Sequence, residues 1–472
     1  MSKQNKNCKV PTPKEYVEIM LNQVGYIENL YGRKVIENSC GEGNILIEIV
    51  RRYIKDCKKQ GYSCEKIAIG LSNDIIAYEI DKEELKICRK KLNNILKNEH
   101  IKNVHWKLRN SDYLKSREKH ADFIIGNPPY ITYHDLDEKE RKFVQNNFEV
   151  CKKGRFDYCY AFIEASIKSL GVKGKLAYLI PYSIFKNKFA NELRDYIKPY
   201  LTRIYDYKSI KIFPRIISTS AIIICEKNNT SNMLNYELVS QKLDYVIEKQ
   251  NLGPKWVFID NNVGTKRFGD FFKVANGVAT LYNKAFLIER YVEDELYYYV
   301  NGMKIEKSLL KTAVSSKSLK NVDNDLLFKI IFPYKIEGNK IKNYTEEEFL
   351  KNFPQACLYL QQFKAELGNR KADKNAKWFE YGRSQSIYGV FGKKLIIPMV
   401  ITNNVVAYEA EADSVPYAGY FIKQNSQKDM TLTEAKQILE SNEFYKYVRE
   451  HGTPTTVTSY RISVKDISDF MF

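Results

Sequence analysis

The residues best equipped for chemistry close the stretch "ADFIIGNPPYITY", Ala121 to Tyr133, where an apolar run stops at Asn127, Pro128, Pro129 and Tyr130. The prolines remove two backbone donors and fix φ, which leaves the Asn127 amide oxygen and the Pro128 carbonyl as a rigid pair of acceptors. Two acceptors suit an amino group with two hydrogens. The Tyr130 ring follows where it could stack on the planar group that carries such an amine. Upstream, "VIENSCGEGNILIEIV" puts Glu37 at a strand end, and Cys40, Gly41 and Gly43 then turn tightly into a helix, so backbone can approach a ligand without a Cβ in the way. That turn has neither a third spaced glycine nor a Walker lysine, so a dinucleotide fingerprint and a P-loop both fit poorly. "AYEIDKEEL" sets Glu79 at the next strand tip, where a carboxylate can accept from both hydroxyls of a ribose. "RNSDYL" offers Asp112 as an acceptor for an exocyclic amine and Tyr113 as a face for an adenine ring. Each acid taken singly also reads as a helix cap, whereas three in series at strand ends point to a ligand.

These positions need a scaffold that delivers strand ends to one edge. "RKVIENS", "DIIAYEID", "VHWKLRNSDYL" and "ADFIIGNPPY" are short apolar runs, and they alternate with stretches such as "NILIEIVRRYIKDCKK" and "KEELKICRKKLNNILKN" that carry helical periodicity. The alternation predicts an α/β domain with a mainly parallel sheet. The distance from Gly43 to Glu79 exceeds the roughly 20 residues usual in dinucleotide folds, so an insertion near "KDCKKQGYSCEK" is expected. The polar "NNTSNMLN" after Lys227 marks the expected domain boundary, separating residues 1–230 from 240–472. The second part, rich in Tyr and Lys, reads as α+β, with "GNRKADKNAK" as an exposed basic loop.

Composition narrows the partner. A net charge of +18 over 472 residues favours a polyanion, and nucleic acid and anionic membrane both fit. No apolar run of signal-peptide or membrane-spanning length occurs, and no clear amphipathic anchor appears, so a soluble intracellular protein that meets nucleic acid is expected. Nine cysteines without CxxC pairs and five histidines outside ligand spacing predict reduced thiols and no metal site.

The NPPY arrangement resembles motif IV of amino-methyltransferases that use S-adenosylmethionine, and the other segments follow in that family's order. The resemblance extends to the gamma class, TaqI-type, of DNA adenine-N6 methyltransferases. It implies a Rossmann-like α/β catalytic domain, mostly parallel in its sheet, followed by a smaller α+β target-recognition domain. By this resemblance "ENSCGEG" is motif I and receives the methionine part of the cofactor through Glu37, Cys40, Gly41 and Gly43. Glu79 would hold the ribose with Ile80 beside it, Asp112 and Tyr113 would contact the adenine, and Asn127 and Pro129 would border the cofactor. "VPTPKEYVEIML" looks like motif X and adds Thr12; Thr12, Pro13 and Glu15 also make a capping box with proline at the first helical position. "KIFPRIISTSAIII" resembles motif VIII, with Phe213 as its aromatic residue. The catalytic set so implied is Asn127, Pro128, Tyr130 and Phe213, with Tyr130 and Phe213 sandwiching a flipped adenine. Motif I departs from the usual Asp-Pro opening, since Glu37 and Asn38 stand there.

The implied activity is site-specific methylation of adenine N6 in duplex DNA, in the bacterial cytoplasm, with or without a companion restriction endonuclease. "FFKVANGVATLYNKAF" is similar to the start of a TaqI-type recognition domain. By residue type, Lys284 could hold a phosphate, and Arg383 and Gln385 could read base edges. RNA adenine and protein glutamine remain alternative acceptors, because enzymes acting on them share NPPY. A cytosine-C5 mechanism would use a Pro-Cys pair, and no such dipeptide occurs. Motif X begins so near the start that no nuclease domain is expected upstream, and no PD…ExK pattern is evident downstream. Oligomeric state is left open by the sequence.

Overall fold

Strands that are apolar along their whole length belong in a sheet covered on both faces. In the computed structural model, which describes residues 11–213, 219–320, 328–338, 340–384 and 386–472, such strands build one nine-stranded sheet. Its members are β1 (Val35–Glu37), β2 (Ile75–Tyr78), β3 (Lys107–Arg109), β4 (Ala121–Gly126), β5 (Leu170–Pro181), β6 (Leu201–Asp206), β7 (Ser220–Glu226), β8 (Met233–Leu238) and β9 (Leu243–Glu248). Their order is β3-β2-β1-β4-β5-β7-β6-β8-β9. The run from β3 to β5 is parallel, and β7 lies antiparallel between β5 and β6.

Successive residues point to opposite faces of a strand, and the two cores follow that alternation. Val35, Ile75, Phe123 and Ala177 join a core with α1 (Lys14–Gln23), α2 (Asn44–Lys59), α3 (Cys64–Asp74) and α4 (Lys82–Asn98). Ile36, Ile76, Ile124 and Tyr178 join the other core with α5 (Glu138–Asn147), α6 (Cys159–Ser169) and α7 (Asn191–Ile197). Each fully buried Ile or Leu contributes about 1.5–3 kcal/mol of transfer free energy, so the two cores rather than local propensity fix the strand ends in space.

The molecule divides into two compact units, Met1–Ile259 with Thr453–Thr458, and Asp260–Gly452 with Ser459–Phe472. The division thus falls later in the chain than the expected 230–240. "NNTSNMLN" is the turn into β8, and β8 and β9 extend the first sheet from its β6 edge. The second unit is α+β. An antiparallel sheet of Phe272–Asn276, Tyr420–Gln424, Lys394–Ile397 and Tyr408–Ala410 is covered by helices Leu432–Leu439 and Asn442–His451, and a second core surrounds Leu310–Val314 and Pro354–Gln361. Among the described residues no helix is long and apolar enough to cross a membrane.

Candidate active site

Strand order reverses direction between β1 and β4, and in open α/β sheets ligands bind beyond the carboxyl ends of strands at such a point. Glu37 ends β1, Glu79 follows β2, and Asn127 follows β4. The turn after Glu37 needs left-handed backbone, with φ of +49° at Gly41 and +88° at Gly43. A Cβ on Gly43 would lie 2.6 Å from Cys88 Sγ, so only glycine lets α2 pack this close to α4. Glu79 ties the turn down: its Oε2 accepts from Gly41 N at 2.9 Å and its Oε1 from Asp81 N at 2.8 Å. Ile80, beside it, is 54% exposed and presents an apolar surface at the same edge. Cys40 turns its thiol inward onto Cys88, and that hydrogen bond, before burial, raises the Cys40 pKa.

Glu37 is 2% exposed, and its Oε2 has no hydrogen-bond partner among the described residues. Burial first, then nearby Cys88 and Glu79, push its carboxyl well above the usual range, against the pull of the Leu46 backbone N–H. A buried acceptor of this kind fits a cationic donor, as the methionine ammonium of S-adenosylmethionine is.

Asn127 is held at two atoms. Its Nδ2 donates to Thr12 Oγ1 at 3.2 Å, and its carbonyl oxygen accepts from Ser39 Oγ at 3.1 Å. Its Oδ1 is buried and has no partner among the described residues. The expected capping box is absent: Pro13 is the N-cap of α1 without a capping side chain, and Thr12 spends its hydroxyl on Asn127. Tyr130 is half-buried, with its hydroxyl enclosed. Burial, ahead of nearby Cys159 and Asp157, keeps its phenol protonated. Pro128 is buried and Pro129 is half-buried beside it.

Three residues expected at the cofactor or the target base are placed as follows. Tyr113 is 1% exposed and lies in the core, its ring 5.1 Å from Tyr78 and 6.0 Å from Phe162, so it has no free face for an adenine. Phe213 is 2% exposed and belongs to the core opposite the one Tyr130 packs on. Asp112 closes its own turn, accepting from Leu114 N at 2.9 Å, with Lys115 Nζ at 3.3 Å. In the second unit Lys284 is exposed on the short helix Asn283–Phe286, and Arg383 lies against Ala279 but pairs with Asp373 at 2.8 Å. Gln385 lies outside the described residues.

The sequence reading missed two features. Asn38 donates to Ser166 Oγ at 2.9 Å and to the Tyr178 hydroxyl, a buried polar network directly under Gly126. Asp157, the one carboxylate in the aromatic run "RFDYCYAF", bridges to Thr132 and accepts from Cys159 N at 3.2 Å. Burial raises its carboxyl from 3.8 to about 6. The folded protein therefore keeps a proton that the unfolded chain has released, and stability falls as pH rises from 3.8 through about 6. Asp157→Asn is expected to remove that loss, stabilising the protein above pH 6 by up to about 3 kcal/mol and by progressively less toward pH 4. Urea denaturation across this range checks it; a difference independent of pH would contradict the assignment.

Residues 33–213 match the Eco57I restriction-modification methylase family. The chain is 24% identical over 328 residues to the type II restriction enzyme and methyltransferase RM.Eco57I of Escherichia coli, covering 60% of this chain and 32% of that protein. It is 25% identical over 311 residues to the type II methyltransferase M.AccI of Acinetobacter calcoaceticus, covering 58% of this chain and 55% of that one. The chain thus spans between a third and just over half of the length of these two relatives. Its fold is similar to that of the type IIL restriction-modification enzyme MmeI in complex with DNA, with a TM-score of 0.59 at 12% identity over 97% of this chain and 65% of that one.

Proposed function

We propose that this protein, whose residues 33–213 match the Eco57I restriction-modification methylase family, is a site-specific DNA methyltransferase acting on the exocyclic N6 of adenine in duplex DNA. The observation that carries the reading is the buried Asn127 Oδ1, fixed through its own amide by Thr12 and lacking a donor among the described residues. Glu37 and Glu79 would hold S-adenosylmethionine, which supplies an electrophilic methyl group on a sulfonium.

The work of the chain is positioning. An amine conjugated to an aromatic ring is a poor nucleophile, and inside a duplex it is also base-paired, so the nucleotide must leave the stack at a cost of a few kcal/mol. Stacking on Tyr130 would offset about 1–3 kcal/mol of that. Asn127 Oδ1 and the Pro128 carbonyl then accept the two N–H groups, which draws the nitrogen toward tetrahedral geometry and aims its lone pair. Because both acceptors are held before the base arrives, little reorganisation is needed at the moment of reaction. The methylated ammonium is acidic, so no strong base is required.

The second unit is proposed to recognise the target sequence, and the enzyme to act as the modification half of a restriction-modification system or alone. Unmethylated duplex DNA incubated with S-adenosylmethionine and the protein, then digested and examined by nucleoside mass spectrometry, is expected to yield N6-methyladenine. N4-methylcytosine would move the target to the other exocyclic amine. Methylation of RNA or of a protein glutamine with DNA untouched would overturn the reading.

A further inference from the structure

Two exposed segments of the catalytic unit lie beside the NPPY turn and have no role in the site described above. The first is Lys152–Arg155. It emerges from a pairing with the residues after Tyr130: Thr132 bridges to Asp157, Tyr158 N donates to the Ile131 carbonyl at 2.9 Å, and the Tyr133 and Phe156 rings meet at 5.3 Å. The second is Lys188–Phe189. The preceding turn is fastened by the buried Arg194, whose Nη1 donates to the carbonyls of Ile184 at 2.6 Å and Asn187 at 2.8 Å. The segments touch at Gly154, left-handed at φ +78°, where a Cβ would stand 3.1 Å from Phe189 Cε1 and Cγ, with Cδ1 closer still. A side chain at 154 would displace the ring.

What this rim presents is charge and one aromatic. Lys152 is neutralised by Glu149 at 2.6 Å. Lys153, Arg155 and Lys188 are exposed and have no salt-bridge partner among the described residues. Phe189 is 40% exposed, with one side of its ring against Gly154. Cations around a rigid apolar tip suit a duplex whose phosphates are contacted while a side chain enters between bases.

We infer that Lys153, Arg155, Lys188 and Phe189 form a DNA-contacting rim beside the target pocket, the cations holding phosphates that flank the target nucleotide and Phe189 packing against the bases it leaves behind. This inference rests on the proposed action on DNA. Each phosphate neutralised lowers the slope of log affinity against log salt by about 0.9, so three cations account for about 2.7.

The test compares the full-length wild type with K153A/R155A/K188A for binding to a fluorescent random-sequence duplex over a series of salt concentrations. The triple variant is expected to lose about 2–3 units of slope while S-adenosylmethionine affinity and melting temperature stay at wild-type values. Lys173, exposed toward the opposite end of β5, supplies the control, and K173A is expected to keep the wild-type slope. F189A is expected to keep the slope yet lower the methylation rate about tenfold or more, as loss of an intercalating contact worth 1.4 kcal/mol would. An unchanged slope in the triple variant of an enzyme that methylates DNA would sink the rim and leave the proposed function standing. A wild type that neither binds nor methylates DNA would sink both.

Discussion

Asn127→Ala is expected to lower kcat for DNA methylation by about a hundred- to a thousandfold, about 3–4 kcal/mol, the range seen when one preorganised polar group is removed from a catalytic site. Cofactor affinity should stay within about threefold, a change under about 0.7 kcal/mol. The separation follows from geometry. Asn127 Oδ1, just after β4, is a buried acceptor without a partner among the described residues, whereas Glu37 ends β1 and Glu79 follows β2. Thr12 adds a graded test of the same idea. Thr12→Val leaves the Asn127 amide N–H without its 3.2 Å acceptor, so the amide is free to turn, and kcat should fall about tenfold at unchanged cofactor KM. Thr12→Ser keeps the oxygen and should restore most of the rate. A rise in cofactor KM with kcat intact would instead place Thr12 on the cofactor. Steady-state kinetics with varied S-adenosylmethionine and saturating DNA separates the two.

Features of the site that depend on local chain geometry were legible in the sequence. Two prolines after an apolar run fix their own backbone, and glycines 41 and 43 announce a turn that side chains cannot make, so those positions follow from residue type. Features that depend on which face of the sheet a residue meets were not. Tyr113 and Phe213 sit where an aromatic ligand contact reads plausibly, yet both fall inside a core, because burial is decided by helices packed from elsewhere in the chain. The bond between Thr12 and Asn127 spans 115 residues and hides behind a local pattern that also spells a helix cap. The later division between the compact units is hidden for a related reason. β9 is an edge strand with exposed residues along most of its length, so its hydrophobic pattern is as weak as that of a linker, and only pairing with β8 reveals it. Arg383 was chosen for a guanidinium suited to base edges, and Asp373 occupies it.

Glu37→Gln should move two quantities in opposite directions. Cofactor affinity is expected to fall by about 2–4 kcal/mol, because the variant leaves a buried cation facing a neutral amide where a carboxylate had paired with it. Stability of the cofactor-free protein is expected to rise at neutral pH. The Glu37 carboxyl lies well above its ordinary 4.5 in the fold, chiefly through burial, so the folded state holds its proton after the unfolded chain has released one. A carboxyl raised in this way costs stability as pH climbs past 4.5, and glutamine, which does not titrate, escapes that cost. Each kcal/mol so recovered shifts the melting temperature by about 2–4 °C in a unit of this size. Cofactor binding should reverse the order, since the cation restores the charged form of Glu37 in the wild type and finds no charge in the variant. Two measurements decide it: melting curves of both proteins at pH 5 and 8 with and without S-adenosylmethionine, and calorimetric titration in buffers of different ionisation enthalpy. The titration should show the wild type releasing a proton on binding and the variant releasing less. A variant that is destabilised without cofactor at pH 8, or proton release equal in the two proteins, would remove Glu37 from the cation's side and return the buried oxygen to a purely structural place.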